Sequence, residues 1–146
     1  FVEVENGGWD THVNNFDKLT QKLPEVDTAI SALVADLESE GLLDSTLIAI
    51  ATEFGRTPKI NTNTGRDHHP AAYSSVLIGG GIKGGVVYGE TDDRGQKVKK
   101  DKVTPQDFNA TIGRALGLPM EKEVFSPTGR PFHIAGKGTP IKDILL

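Results

Sequence analysis

A chain of 146 residues with a formal net charge of -4 has the length of one domain, enough to bury a core. It lacks the basic field that nucleic acid requires of a partner. It contains no cysteine, which excludes disulfides and thiolate metal sites and leaves oxygen and nitrogen as ligand atoms. Its longest apolar runs are far too short to span a bilayer.

The first residue is Phe1, and Phe1 to Val4 starts as if partway into a strand that ends at Asn6-Gly7-Gly8. The chain therefore reads as a fragment, with any signal peptide upstream of it. Trp9-Asp10-Thr11-His12 then places an acid and an imidazole just past the strand. Asn14 or Asn15 can cap a helix. Phe16, Leu19, Leu23, Val26, Ile30, Leu33 and Leu37 follow at alternating steps of three and four, one apolar helical stripe. Pro24 lies inside it and must kink the helix or open a second one. Gly41 suits the position just past the helix end. The run from Leu47 to Thr52 has the composition of a buried parallel strand. Strand, helix, strand is the crossover unit of a parallel sheet. The expected architecture is thus α/β, in three layers, with a mainly parallel sheet (strands near 2–5, 47–52 and 75–79) and flanking helices, the long one packed on one face.

Gly55 and Pro58 end regular structure after Glu53. The loop that follows closes in Asp67-His68-His69-Pro70. Gly79 to Gly85 is too rich in glycine for regular structure, and no Gly-Lys-Ser/Thr follows it, so it is not a phosphate-binding loop. Val86 to Tyr88 can pair with Lys97 to Lys99 as a hairpin around Asp92-Asp93-Arg94-Gly95. Thr104-Pro105-Gln106-Asp107 is a helix start, with Thr104 as cap, and the helix ends near Gly117. The remainder is irregular apart from a short strand at Phe132 to Ile134. No repeat or low-complexity linker marks a domain boundary.

Six side chains carry the chemistry. Asp10, His12, Glu53, Asp67, His68 and His69 all fall just past strands or in the loop between them, where open α/β sheets meet their ligands. Carboxylate and imidazole together suit zinc, manganese or iron, whereas oxygen alone suits magnesium or calcium. Each group has a plain structural reading. Asp10-Thr11-His12 can be a polar turn, Glu53 can pair with Arg56, and His68-His69 can be a surface turn. Three such clusters in one short chain favour a metal site. Arg56 and Arg66 flank the loop and can clamp an anionic group with forked hydrogen bonds, or else form salt bridges to Glu53 and Asp67. No Gly-x-Ser-x-Gly elbow occurs. His133, beside Phe132, reads as a packed residue.

The segments GGWDTH, GLLDSTLIAI, EFGRTPKIN, GRDHHP and GGGIKGG resemble the bacterial family called domain of unknown function fifteen-hundred-and-one, over nearly the whole chain. That family looks like a branch of the alkaline phosphatase and sulfatase superfamily. The order of the motifs is also similar to that of cofactor-independent phosphoglycerate mutase. The resemblance implies an alkaline phosphatase-like fold of which this chain is the C-terminal half. It implies a parent protein that hydrolyses or transfers phosphate or sulfate esters. Asp10, His12 and His68 (or His69) would hold one metal, and Glu53 would bind or bridge to a second. The cofactor would be zinc or manganese, as one or two ions, and the substrate a small anionic ester. The protein would be exported or periplasmic. Apart from the resemblance, a homo-oligomer is one way for the chain to cover surface left by its missing half. Phe54 stands where the superfamily has a histidine ligand, so one metal position would be weakened, rebuilt or lost. The superfamily's Ser or Thr nucleophile would lie upstream, leaving this part without turnover. The contrasting expectation is a non-catalytic module that binds an anion or carbohydrate, or serves a structural role, around a decayed site.

Overall fold

A computed structural model describes all 146 residues. The long helix, α1, spans Asn15–Ser39 without a break at Pro24, so no second helix opens there. The proline costs the hydrogen bond its missing N–H would have made. Its start is not closed by a side-chain cap. Asn14 sits in the left-handed region at φ 51, and its side chain accepts the Thr64 hydroxyl at 3.0 Å. The backbone N–H groups of Asn14 and Asn15 donate to the carbonyls of Asn63 and Thr64. The far end closes on Gly41 at φ +66. There the Gly41 and Leu42 N–H groups return to the Glu38 and Leu37 carbonyls, the paired bonds of a glycine-terminated helix.

No parallel sheet follows. Strands β1 (Leu47–Ile50), β2 (Gly55–Arg56), β3 (His68–His69), β4 (Val76–Gly79), β5 (Glu90–Thr91) and β6 (Val98–Lys100) precede a second helix, α2 (Pro105–Ala115), with β7 (Glu123–Phe125) and β8 (Pro131–His133) after it. They pair as four two-stranded antiparallel ladders: β1 with β4, β2 with β3, β5 with β6 and β7 with β8. The expected three-layer parallel architecture is therefore wrong, and the reason is in the connections. Parallel neighbours need a crossover, usually a helix, but the segment between β1 and β4 contains Gly55, Pro58, Gly65 and Pro70 and forms the β2–β3 ladder instead. The expected first strand also fails to form. Residues 1–10 have no regular structure, and Phe1, Val2 and Val4 are almost fully exposed.

The interior is small. Seven residues of 146 are buried, and among them only Ala110 and Ile141 are large enough and apolar enough to form a core. The accessible surface is 10634 Å², against about 7,300 Å² for a compact chain of this mass. On α1, Phe16, Leu23 and Leu33 remain about half exposed. The expected packing of this helix on a sheet face is absent, and beyond Asn15 no α1 residue is buried. No helix is long and apolar enough to cross a membrane.

The second helix is better anchored. Thr104 and Asp107 form the reciprocal capping box, and Gly117 at φ +69 closes the other end. Asp107 also accepts the Thr139 N–H at 2.8 Å, and the buried Thr111 hydroxyl accepts the Ile141 N–H at 2.9 Å. These bonds fasten the last segment of the chain over α2. The central hairpin forms a few residues from the expected Val86–Tyr88 and Lys97–Lys99 pairing. His133 is exposed on the edge of β8 opposite Glu123 rather than packed.

Candidate metal centre

Two loops build the site. The first, Asp10-Thr11-His12, is held from beneath. The buried Thr11 hydroxyl donates to Asn15 at 2.6 Å, and the Thr11 carbonyl accepts the Arg66 N–H at 3.0 Å. Val13 pairs with Thr64 in an isolated bridge. The second loop, 57–67, is tied by its own side chains. Asn61 Oδ1 accepts the N–H groups of Asn63 and Gly65 at 2.9 Å each, a local closure typical of asparagine. Arg66 donates to the carbonyls of Thr57 and Pro58 at 2.6 Å each and lies over the Phe16 ring. Thr57 and Asp67 exchange two bonds through the Thr57 N–H and hydroxyl. Strand β3 then sets Arg56 opposite His68.

The result is a triad. Asp10 Oδ1 lies 2.9 Å from His68 Nε2 and 3.1 Å from His12 Nε2, and the two ring nitrogens are 3.2 Å apart. With metal–ligand bonds of about 2.0–2.1 Å, ligand atoms stand roughly 3.3 Å apart in a tetrahedral site and roughly 3.0 Å in an octahedral one. The three edges of this triangle match a face of such a polyhedron. Asp10, His12 and His68 can therefore hold one metal ion together. About half of each imidazole and 65% of the Asp10 side chain remain exposed, so the outer positions are open to water or a substrate.

The electrostatics agree. The hydrogen bonds from His68 and Arg56 hold the Asp10 carboxyl down at about 2, and Arg56 Nη2 lies 2.8 Å from the same oxygen. Asp67 is held low by His12 and Asn61. Both carboxylates are charged at neutral pH and can only accept hydrogen bonds.

The family model described as Protein of unknown function (DUF1501) matches residues 1–145. The chain belongs to that family. No curated protein and no solved structure matches it.

The other sequence-predicted residues of this DUF1501 chain are distributed around the triad. Asp67 meets His12 from behind, with Oδ1 2.7 Å from Nδ1. His69 faces the other way, as neighbours on a strand do, with Nε2 2.9 Å from the Gln96 carbonyl. Glu53 is exposed and stands outside the cluster; it makes no ion pair with Arg56, which pairs with Asp10. Arg56 Nη1 reaches the Arg66 carbonyl, while Arg66 braces its own loop. Phe54 packs on the His68 ring at 4.3 Å between centroids. Sequence reasoning missed Asn61, which joins the two loops by bonding both the His12 carbonyl and Asp67, and Thr57, which closes the second loop onto Asp67. The signal available was a polar run with asparagine four residues before a glycine.

Proposed function

We propose that the protein is a metal-dependent hydrolase or transferase of phosphate or sulfate esters, with zinc or manganese on Asp10, His12 and His68. The observation that supports this is the convergence of one carboxylate and two imidazoles from distant loops on a single point, open on one side. A divalent metal there supplies Lewis acidity toward an ester oxygen and lowers the pKa of a bound water. Asp10 contributes the negative charge, and the two imidazoles contribute neutral nitrogen donors. Arg56 holds Asp10 with one end of its guanidinium and uses only part of its donor fork, so it is placed to meet an anionic oxygen at the open side. The ligand order, an Asp and His close together and a late His, is similar to that of the alkaline phosphatase and sulfatase superfamily.

A second reading keeps the anion but not the turnover. Phe54 against His68 and Glu53 outside the cluster support a module that binds an anion or carbohydrate around a reduced metal site. Calorimetry with zinc and with manganese near neutral pH, followed by assays on aryl phosphate and aryl sulfate, separates the two. Metal uptake with metal-dependent hydrolysis by the full-length protein supports the enzyme. Uptake without hydrolysis supports the module, and no uptake overturns both. The bare stripe on α1 supports self-association, which sedimentation tests. Export, an expectation of the family resemblance, is tested by fractionating cells that produce the full-length protein.

A further inference from the structure

We infer that Asp67 is a positioning residue rather than a ligand: with Asn61 it fixes His12 as the tautomer whose Nε2 lone pair faces Asp10 and His68. The inference rests on the metal reading above. Asp67 Oδ1 is 2.7 Å from His12 Nδ1, and a charged carboxylate accepts only, so Nδ1 carries the proton. In the neutral ring Nε2 is then an acceptor, and it points at another acceptor, Asp10 Oδ1, 3.1 Å away. Two acceptors facing one point are what a cation reconciles. His68 Nε2, near both atoms at 2.9 and 3.2 Å, supplies a proton there in the metal-free chain; a metal would displace that proton to solvent or to Nδ1 of the same ring.

Asn61 makes the arrangement rigid. Its Nδ2 donates to Asp67 Oδ1 at 3.1 Å and to the His12 carbonyl at 3.0 Å. One amide thus fixes both the carboxylate and the backbone of the residue that carboxylate orients. Its Oδ1 closes the turn over residues 61–65. The loop between Thr57 and Asp67 is therefore a mount for the His12 ring. A carboxylate behind a metal-bound histidine fixes its orientation and raises its basicity, and losing such a partner costs about 10- to 100-fold in metal affinity.

The test has two readouts. Nitrogen-15 correlation spectra of the metal-free chain, taken above the histidine titration range, report the His12 tautomer. Protonated Nδ1 is expected in the wild type, with a mixture of tautomers in Asp67→Ala. Cobalt(II) titration, followed by its visible bands, reports affinity and geometry. Affinity is expected to fall about 10- to 100-fold in Asp67→Ala and less in Asn61→Ala. Asp67→Asn keeps an acceptor oxygen and is expected to restore part of the loss. A dominant Nε2–H tautomer in the wild type overturns the inference, as does an Asp67→Ala chain whose cobalt affinity and spectrum are unchanged. If Asp67→Ala loses one ligand's worth of spectral change, Asp67 is a ligand and the inference is wrong. A wild-type chain with protonated Nδ1 that takes up no cobalt overturns the metal reading itself, a result distinct from the others.

Discussion

The loop platform at 57–69 and the helix α1 invert each other's economy. The platform buries almost nothing, yet nearly every polar group in it has a named partner, from Asn61 and Thr57 to Arg66 and Asp67. The helix carries an apolar stripe and a glycine-closed far end, yet that stripe has almost nothing against it. A ligand site can be shaped by directional hydrogen bonds, each worth only about 1 kcal/mol net, because geometry is what the site requires. A helix face is stabilised by removal of area from water, and direction is no substitute for coverage.

The largest effects are expected at the triad. Asp10→Ala and His68→Ala each remove one of three ligands, so zinc affinity should drop by at least about 100-fold. Calorimetry at fixed pH measures this, and an unchanged isotherm in both variants places the metal elsewhere. Gly65→Ala acts on the platform without altering any of the three ligand side chains. Its Cβ would fall on the His12 carbonyl and the Val13 nitrogen, which cannot yield without moving the Asp10–His12 loop. It should cost metal affinity by an amount approaching that of losing a ligand.

The helix responds to the opposite kind of change. Leu23→Asp and Leu33→Asp leave every platform bond in place and should weaken self-association about tenfold each, roughly 1.4 kcal/mol. Sedimentation at several concentrations reads this out. Concentration-independent monomers in the wild type would end the assembly proposal. Metal affinity measured below the association range should not change.

Smaller effects are expected at α2, the element whose bonds and burial are balanced. Thr104→Ala removes one half of the capping box and should cost about 1 kcal/mol of stability, read by denaturant midpoint. Asp107 is held low by its bonds from Thr104 and the Thr139 and Thr104 N–H groups. A lowered carboxylate contributes stability that is complete above its ordinary value and lost as pH falls through the lowered one. Acid unfolding of the wild type should therefore begin below pH of about 4, and in Asp107→Asn this part of the pH dependence should vanish.

What the sequence revealed follows the same division. Locally encoded features were readable: the capping box at Thr104 and Asp107, the glycine stop at Gly41, and apolar runs close to β1 and β4. Asp10, His12 and His68 could be singled out because acid and imidazole recur after short apolar runs. Pairing direction was not readable. Leu47–Ile50 and Val76–Gly79 suit a buried parallel strand as well as an antiparallel one, and the choice was made by the connection between them. Side-chain direction was equally hidden. His68 and His69 are adjacent in sequence, yet the pleat of β3 sends one to Asp10 and the other to Gln96. Asp67 reads as one of six ligands in the sequence, which held no sign of its placement behind His12.

The junction between Val13 and Thr64 has one more implication. The bridge there, with the Asn14 and Asn15 bonds to Asn63 and Thr64, makes the first turn of α1 and the two site loops a single mechanical unit. The base of the helix thus lies within a few residues of Asp10 and His12. A partner covering its stripe and a metal on Asp10 and His12 would both act on this junction. Linkage then requires equality: any factor by which coverage of α1 changes metal affinity is the factor by which the metal changes the affinity of that coverage.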